Sequence, residues 1–437
     1  MLKALYLEHV GPAAKMEMTP IAPRINLITG DNGLGKSFLL DVAWFGLTGS
    51  WPEHPAVPDL RNADEARIDF LLQAASGDLD FGYSYHQRTQ HWSGLIDPDD
   101  DTPAKDYIAM YVAADGSVRV CDTVRGAAER IQANSSIVFE AGKVSFSPGE
   151  IWDGLKVGDR HLCNGLIRDV ALWQTGKDKR FKVLQDVVAK LSPGPDEKLA
   201  FGDLTRVWIT DVRDMPTVKM PYAPKGEPLI LASSAIRRVI SWAYLLVWTW
   251  DEHLRAATLA GRDPARQFVI LIDELETHLH PRWQRTLLPA LVPAVRKLTK
   301  SRGKKDELTV QVLATTHSPL VLASAESVFE AESDALWKMD LDGSEVRLER
   351  DVWHKRGDAS DWLTSDVFDL RTSRNLDAEA ALEEAAQALS DPGFNTEKAL
   401  KLQAKLVKVL PDTDPFWARW RYVGERKGWL PQAKAEA

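Results

Sequence analysis

The chain has 437 residues, 44% of them hydrophobic and 27% charged, which excludes a disordered or fibrous polypeptide and leaves ample material for a buried core. Lys+Arg 54 against Asp+Glu 63 gives a net charge of −9, so the bulk charge does not advertise nucleic-acid binding. Two cysteines, Cys121 and Cys163, exclude a disulfide framework, and the longest apolar stretch, 239–250, is shorter than the roughly 20 residues of a membrane span.

In chain order, residues 3–9 and 25–29 read as two strands joined by a turn region, followed by a Gly-rich loop and an apolar helix over 36–47. Strand patterns return at 68–72, 80–85 and 107–112, and Ala114-Asp115-Gly116 supplies a hairpin turn before 118–120. The block 148–191 is expected to be helical, with Leu166, Ile167, Val170 and Ala171 at helix spacing. Residues 216–228, rich in Pro and Lys, read as a linker.

From Ala232 the apolar positions Ile236, Val239, Ile240, Ala243, Val247 and Trp250 repeat at helix spacing, widened by Leu245, Leu246 and Trp248. An apolar strand at 268–272, a helix over 282–300 and a second apolar strand at 308–314 follow. Strand–helix–strand with fully apolar strands implies α/β architecture, a parallel sheet covered on both faces. Two short strands flank Asp342-Gly343, and helices are expected over 377–389, 396–409 and 415–428, with Asn395 and Asp414-Pro415 as starts.

The chemistry is concentrated in three places. Gly30-Asp31-Asn32-Gly33-Leu34-Gly35-Lys36-Ser37, with Phe38 behind it, matches the G-x-x-x-x-G-K-[ST] loop between a strand and a helix. Its glycines let successive backbone N–H groups face phosphate, and the helix start adds its positive end. Lys36 is placed to reach the β- and γ-phosphates and Ser37 to hold Mg²⁺. Asp273-Glu274 ends an apolar strand, where Asp273 can order the Mg²⁺ water shell and Glu274 can polarise a water. Thr315-Thr316-His317-Ser318-Pro319 ends the next strand, with His317 within reach of a γ-phosphate.

Asn32 in the loop, Asp273-Glu274, the run Glu276-Thr277-His278-Leu279-His280-Pro281 and Thr316-His317-Ser318-Pro319 together resemble the ABC-class ATPases, in the RecF/SMC and overcoming-lysogenisation-defect branch found in DNA repair and prokaryotic antiviral systems. The resemblance covers about 1–50 and 228–325. It implies a mixed-sheet ATPase head with helices on both faces and an antiparallel β subdomain, with ATP and Mg²⁺ as substrate and cofactor. The expected division is a split core of 1–50 and 228–350, a β-rich and helical insertion (β subdomain plus lid or arm) over 51–227 and a helical tail over 351–437.

By the same resemblance Glu274 is the catalytic glutamate, Glu276 to Pro281 the D-loop and His317 the switch histidine. The signature that would bind the γ-phosphate of an opposing subunit falls at Ser233-Ser234, although Ala235 and Ile236 stand where the family has Gly and Gln or Glu. Arg237 and Arg238 follow, either as solvated charges or as neighbours of an anion. Gln73, Gln87 and Gln90 are the candidates for the Q-loop.

The functional expectation is an ATPase that dimerises, or forms a higher oligomer, through ATP-sandwiched heads. It would act as the motor, sensor or scaffold subunit of a DNA-processing or anti-phage system, with a separate effector such as an HNH or Toprim nuclease. The competing expectation is a nucleotide-gated scaffold with slow or no hydrolysis. A membrane-transporter ATPase fits less well, since the signature lacks Gly-Gly-Gln.

Glu274, Glu276, His278 and His280 also have the make-up of a metal cluster, but the D-loop already explains them. Asp340-Leu341-Asp342 reads as a hairpin rather than a nuclease motif. Arg296, Lys297, Lys300, Arg302, Lys304 and Lys305 form a dense basic run, a solvated helix end or a contact for DNA. With no signal-peptide pattern at the start, the expected location is the cytoplasm, without a membrane partner. Of the sixteen tryptophans, Trp152, Trp173 and Trp208 in the insertion and Trp353, Trp362, Trp417, Trp420 and Trp429 in the tail mark regions expected to bind partners.

Overall fold

The computed structural model describes residues 1–74, 77–94, 106–133, 141–299, 308–391 and 393–430, in two compact units, 1–359 and 360–437. The first begins with the hairpin β1 (Leu2–Val10) and β2 (Ala13–Met18), then β3 (Ile25–Gly30) and α1 (Lys36–Thr48). With β4 (Arg67–Ala74), β5 (Gly77–His86) and β6 (His91–Gly94), the hairpin makes an antiparallel sheet in the order β2-β1-β4-β5-β6. The opening is thus not two strands around a turn. Its first two strands belong to one sheet and β3 to another.

β7 (Tyr107–Val112), β8 (Val118–Asp122), α2 (Thr123–Ala133) and β9 (Lys143–Phe146) follow. The segment expected to be helical holds α3 (Pro148–Asp153), a small hairpin of β10 (Leu155–Val157) and β11 (Arg160–Cys163), then α4 (Leu166–Thr175) and α5 (Lys179–Lys190). The expected linker is also structured: β12 (Ala200–Phe201), β13 (Thr217–Met220) and β14 (Ala223–Pro228) form a three-stranded sheet. Pro228 can end the edge strand β14 because an outer edge needs no donor there.

The 27-residue α6 (Ser234–Ala260) leads to β15 (Gln267–Ile272). Then come α7 (Pro281–Gln284), α8 (Leu287–Thr299), β16 (Thr309–Thr315), α9 (Pro319–Ala325) and the hairpin of β17 (Asp334–Asp342) and β18 (Glu345–Asp351). The helix expected over 282–300 is therefore two pieces, and of the basic run Arg296 and Lys297 end α8, whereas Lys300, Arg302, Lys304 and Lys305 lie outside the described residues. Asp340 and Asp342 are in the expected hairpin, ion-paired with Lys338 and Arg347.

The main sheet is mixed, in the order β18-β17-β3-β16-β15-β7-β8-β9. Its middle, β17 to β7, is parallel, and antiparallel strands close both edges. The parallel strands are buried on both faces, which explains their unbroken apolar runs. On one face α1 is enclosed with the antiparallel sheet in a single core, where Leu40, Val42 and Phe45 meet Leu7, Ile68 and Phe70. Each such fully buried side chain contributes about 1.5–3 kcal/mol. α6 is buried almost all round, with Val239, Ile240, Ala243, Tyr244 and Leu245 essentially inaccessible, as its apolar circumference requires.

The second unit, which follows the start of α10 (Ala359–Leu363), is built on α11 (Leu376–Ser390), α12 (Thr396–Val409) and α13 (Phe416–Arg426). Ala378, Ala381, Ala385 and Ala388 pack with Leu402, Leu406 and Trp420 in its own core. Asn375 and Asn395 cap α11 and α12 through the amides of Ala378 and Lys398. Trp173, Trp362, Trp417, Trp420 and Trp429 are buried, and of the eight tryptophans expected to mark partner surfaces Trp208 is the exposed one. Most of that aromatic surface is core.

Candidate nucleotide-binding site

The parallel strands β17, β3, β16, β15 and β7 deliver their C-terminal ends to one edge. In register, Ile272 lies beside Ala314 and Val112, and Thr315 beside Ile28. The loop 30–37 leaves β3 there, Asp273-Glu274 leaves β15 and Thr316-His317 leaves β16. Three segments far apart in sequence thus meet at the crevice where open α/β sheets bind ligands.

Gly30 has φ 143, and a side chain on it would fall 2.2 Å from the Met339 carbonyl oxygen of β17. At Gly33, φ is 83 and the space around it is open. Asp31, Asn32, Gly33 and Ser37 line the open side of the loop, and Leu34 is buried in the core. Phe38, expected among the binding residues, lies with its ring against Gly11 of the β1–β2 turn.

Lys36 is only 5% exposed, and its Nζ donates to the carbonyls of Gly30 and Asp31 at 2.9 and 2.6 Å. Burial lowers its pKa, while the negative charges of Asp31, Asp273, Glu274 and Glu276 oppose that shift. The ammonium is held over the loop by two neutral acceptors, and a phosphate is the stronger partner for it.

One hydroxyl organises the carboxylate side. Thr315 Oγ1 donates to Asp273 Oδ1 and accepts from the Glu274 amide, both at 2.7 Å. Asp273 is 6% exposed and its amide donates to Val112 O, so β7 holds it from the other side. Glu274 has φ 48, a left-handed conformation costly for a residue with a side chain, and its Oε2 accepts from Thr277 Oγ1 at 2.7 Å. Glu276 grips the neighbouring loop, accepting from Thr316 Oγ1 at 2.7 Å and from the His317 amide at 2.5 Å.

Half-buried His317 has a pKa held down first by burial and then by the Lys36 charge, against the pull of Glu276, Glu274 and Asp273. Its imidazole is neutral near pH 7. Thr315 and Glu276 are connections that the motifs do not announce. In the sequence Thr315 is only the residue before Thr316-His317, and its partners are strand neighbours rather than chain neighbours.

For Mg²⁺, the donors to hand are the Ser37 hydroxyl at the start of α1 and the Asp273 oxygen that Thr315 leaves unused. A hydroxyl and a carboxylate completed by water form the oxygen-only donor set this ion takes, so the residues fit it. His278 and His280 line a cavity with Ser233, Ser234 and Trp283, and Glu276 is turned onto the His317 loop. Among the described residues, no group of three or more His, Cys, Asp or Glu is arranged to hold a metal by itself.

Ser233 and Ser234 are exposed at the start of α6, where Ser233 Oγ accepts from the Ile236 amide at 3.5 Å and caps the helix. Arg237 is exposed and Arg238 buried, so the two arginines are not equivalent. The strand beside β15 is β7, and its following turn, residues 113–117, contains no glutamine. Gln73 lies in β4 and Gln87 and Gln90 in the β5–β6 turn, all in the antiparallel sheet.

A family described as "AAA domain, putative AbiEii toxin, Type IV TA system" matches residues 254–323, which include Asp273, Glu274 and His317. The chain is similar to the retron Ec83 probable ATPase of Escherichia coli, 25% identical over 162 residues that cover 37% of this chain and 26% of the relative. It is also similar to the retron Vc95 probable ATPase of Vibrio cholerae serotype O1 biovar El Tor, 39% identical over 59 residues, 14% of this chain and 9% of that one. The matched segments thus span about a quarter or less of these relatives. Among solved structures, the SMC head domain from Thermotoga maritima aligns with a TM-score of 0.39 and 13% identity, over 80% of this chain and 99% of that one.

The α/β fold carries the G-x-x-x-x-G-K-[ST] loop at a strand-to-helix turn, and over part of its length the chain is similar to an AAA-domain family and to two retron proteins named probable ATPases. Among the described residues, no helix is long and apolar enough to cross a membrane.

Proposed function

We propose that the chain binds ATP across Gly30, Asp31, Asn32, Gly33, Leu34, Gly35, Lys36, Ser37 and Phe38 and hydrolyses it. The supporting observation is that a single hydroxyl, Thr315 Oγ1, ties Asp273 and Glu274 together at the edge where the phosphate loop ends. Lys36 exchanges its two carbonyl partners for the β- and γ-phosphates. Glu274 accepts a proton from the attacking water, and neutral His317 donates to the γ-phosphate. Ser37 and Asp273 would hold Mg²⁺, which when bound would neutralise charge developing on the phosphate oxygens.

Exposed Ser233 and Ser234 at the start of α6 present a helix N-terminus to the γ-phosphate bound by a second copy, which makes ATP the adhesive of a head-to-tail dimer or larger oligomer. The names of the relatives support an ATPase role; the reading extends it to the ATPase subunit of a prokaryotic cytoplasmic defence or DNA-processing system that works with a separate nuclease or toxin as effector. DNA contact by the basic run belongs to the same reading.

The alternative, an ATP-gated scaffold with slow turnover, is favoured by the Thr277 hydrogen bond that turns Glu274 into its own loop, and by Ala235 in the signature. Turnover of pure protein against E274Q separates the two. Hydrolysis predicts a loss of about 10²- to 10⁴-fold with ATP binding retained, whereas equal rates favour the scaffold.

A further inference from the structure

Arg238 is 8% exposed, yet two of its guanidinium nitrogens, Nε and Nη2, have no hydrogen-bond partner. Nη1 donates to Ala114 O at 3.1 Å, and the guanidinium carbon lies 5.2 Å from the centre of the Trp242 ring. A buried cation with two unmatched donors is costly, and such a group is retained where something anionic completes it. The free pair is the Nε–Nη2 edge, which a carboxylate takes side-on through two parallel hydrogen bonds.

The location indicates which carboxylate. Arg238 grips the turn that follows β7, and the last residue of β7, Val112, accepts from the Asp273 amide at 2.9 Å. Burial lowers the Arg238 pKa, and the opposing charges are Asp115, then Glu274, Asp273 and Glu276. Asp273 and Glu276 are already engaged by Thr315, Thr316 and the His317 amide, and Asp115, which accepts from the Ser117 amide, is exposed so that water serves its charge, whereas Glu274 is half-buried. Glu274 has a single side-chain partner, Thr277 Oγ1, from within its own loop.

We propose that Arg238 is a positioning residue for Glu274: with ATP bound, the Glu274 carboxylate leaves Thr277 Oγ1 and docks on the free Nε–Nη2 edge of Arg238. This deepens the hydrolysis reading above and rests on it. The contact holds the carboxylate in one orientation for proton acceptance. It also ties the first turns of α6, and with them Ser233, to the state of the nucleotide in the same subunit.

The test uses R238M, which keeps the bulk and removes the charge, alongside R238K and E274Q. In the nucleotide-free protein R238M is expected to melt at or above the wild-type temperature, because an unmatched buried cation is gone. Its turnover falls about 10- to 100-fold through a misplaced carboxylate, with R238K intermediate and KM for ATP rising only as far as the loss of the docking contact weakens MgATP binding. A lower melting temperature with a matching loss of ATP binding would mean that Arg238 only fastens the turn, and would overturn the proposal, as would unchanged turnover.

A double-mutant cycle on the MgATP-induced thermal shift separates this proposal from the hydrolysis reading. R238M should reduce the shift in the wild-type background and add nothing in the E274Q background. Coupling of that kind with wild-type and E274Q rates equal would reject hydrolysis while keeping the contact. Additive effects would reject the contact whatever the rates, and the absence of any MgATP shift would reject both.

Discussion

Two ends of the first unit use polar groups in opposite ways. At the edge of β3, β16 and β15, Asp273 is fastened to Thr315 and Glu276 to Thr316 and His317, and Lys36 lies over its own loop. At the start of α6, Ser233 satisfies only its own helix, Ser234 is exposed and Arg238 is left with unmatched donors. A site built on adjacent parallel strands is preorganised by the sheet ladder itself. A site built on a helix start is finished only when an anion arrives, and so can register whether one is there.

The sharpest way to break this contrast is at Lys36. K36A should abolish measurable MgATP binding and lower turnover at least about 10²-fold. Its nucleotide-free melting temperature should hold, since the lost partners are loop carbonyls that water can serve; isothermal titration and a thermal melt check both. T315V comes next. Removing the hydroxyl that joins Asp273 to Glu274 should cost about 1–3 kcal/mol in stability by urea unfolding, with turnover falling more than ATP affinity.

At the opposite end, S233D retains a good helix cap, so its stability should stay within about 0.5 kcal/mol of wild type. The added negative charge should nonetheless prevent ATP-dependent dimerisation, read by light scattering with MgATP in the E274Q background. Dimerisation at wild-type strength would remove Ser233 from the interface.

The smallest effect concerns pH. His317 has a folded pKa below the usual imidazole value of 6.5, so the unfolded chain binds the proton more readily. The stability this group contributes is therefore present above 6.5 and declines as pH falls below it. Melting curves of wild type and H317Q should converge in that acidic window and differ in slope there.

The phosphate loop, Asp273-Glu274 and Thr316-His317 are all legible in the sequence, since each lies at the end of an apolar strand and needs its residue types at fixed spacing. Less is legible where an element depends on partners. Ala13–Met18 alternates only over its last four residues, Lys15 to Met18, and becomes a six-residue strand because β1 offers it an edge. The expected linker becomes the β13–β14 hairpin through its pairing with β12. The helix pattern over 282–300 breaks between Gln284 and Leu287, where Gln284 is drawn to Ser318 and to the Leu279 carbonyl.

By itself, then, the sequence determined which residues the nucleotide proposal rests on, because a phosphate-loop motif and a strand-end carboxylate are local patterns set by backbone geometry a few residues long. Tertiary structure alone decided how those groups are wired. That Thr315 serves both Asp273 and Glu274, that Glu276 holds the His317 loop, and that Arg238 rather than Arg237 is buried depends on strand order and helix rotation. Those are fixed by packing between segments far apart in the chain, and no local pattern encodes them.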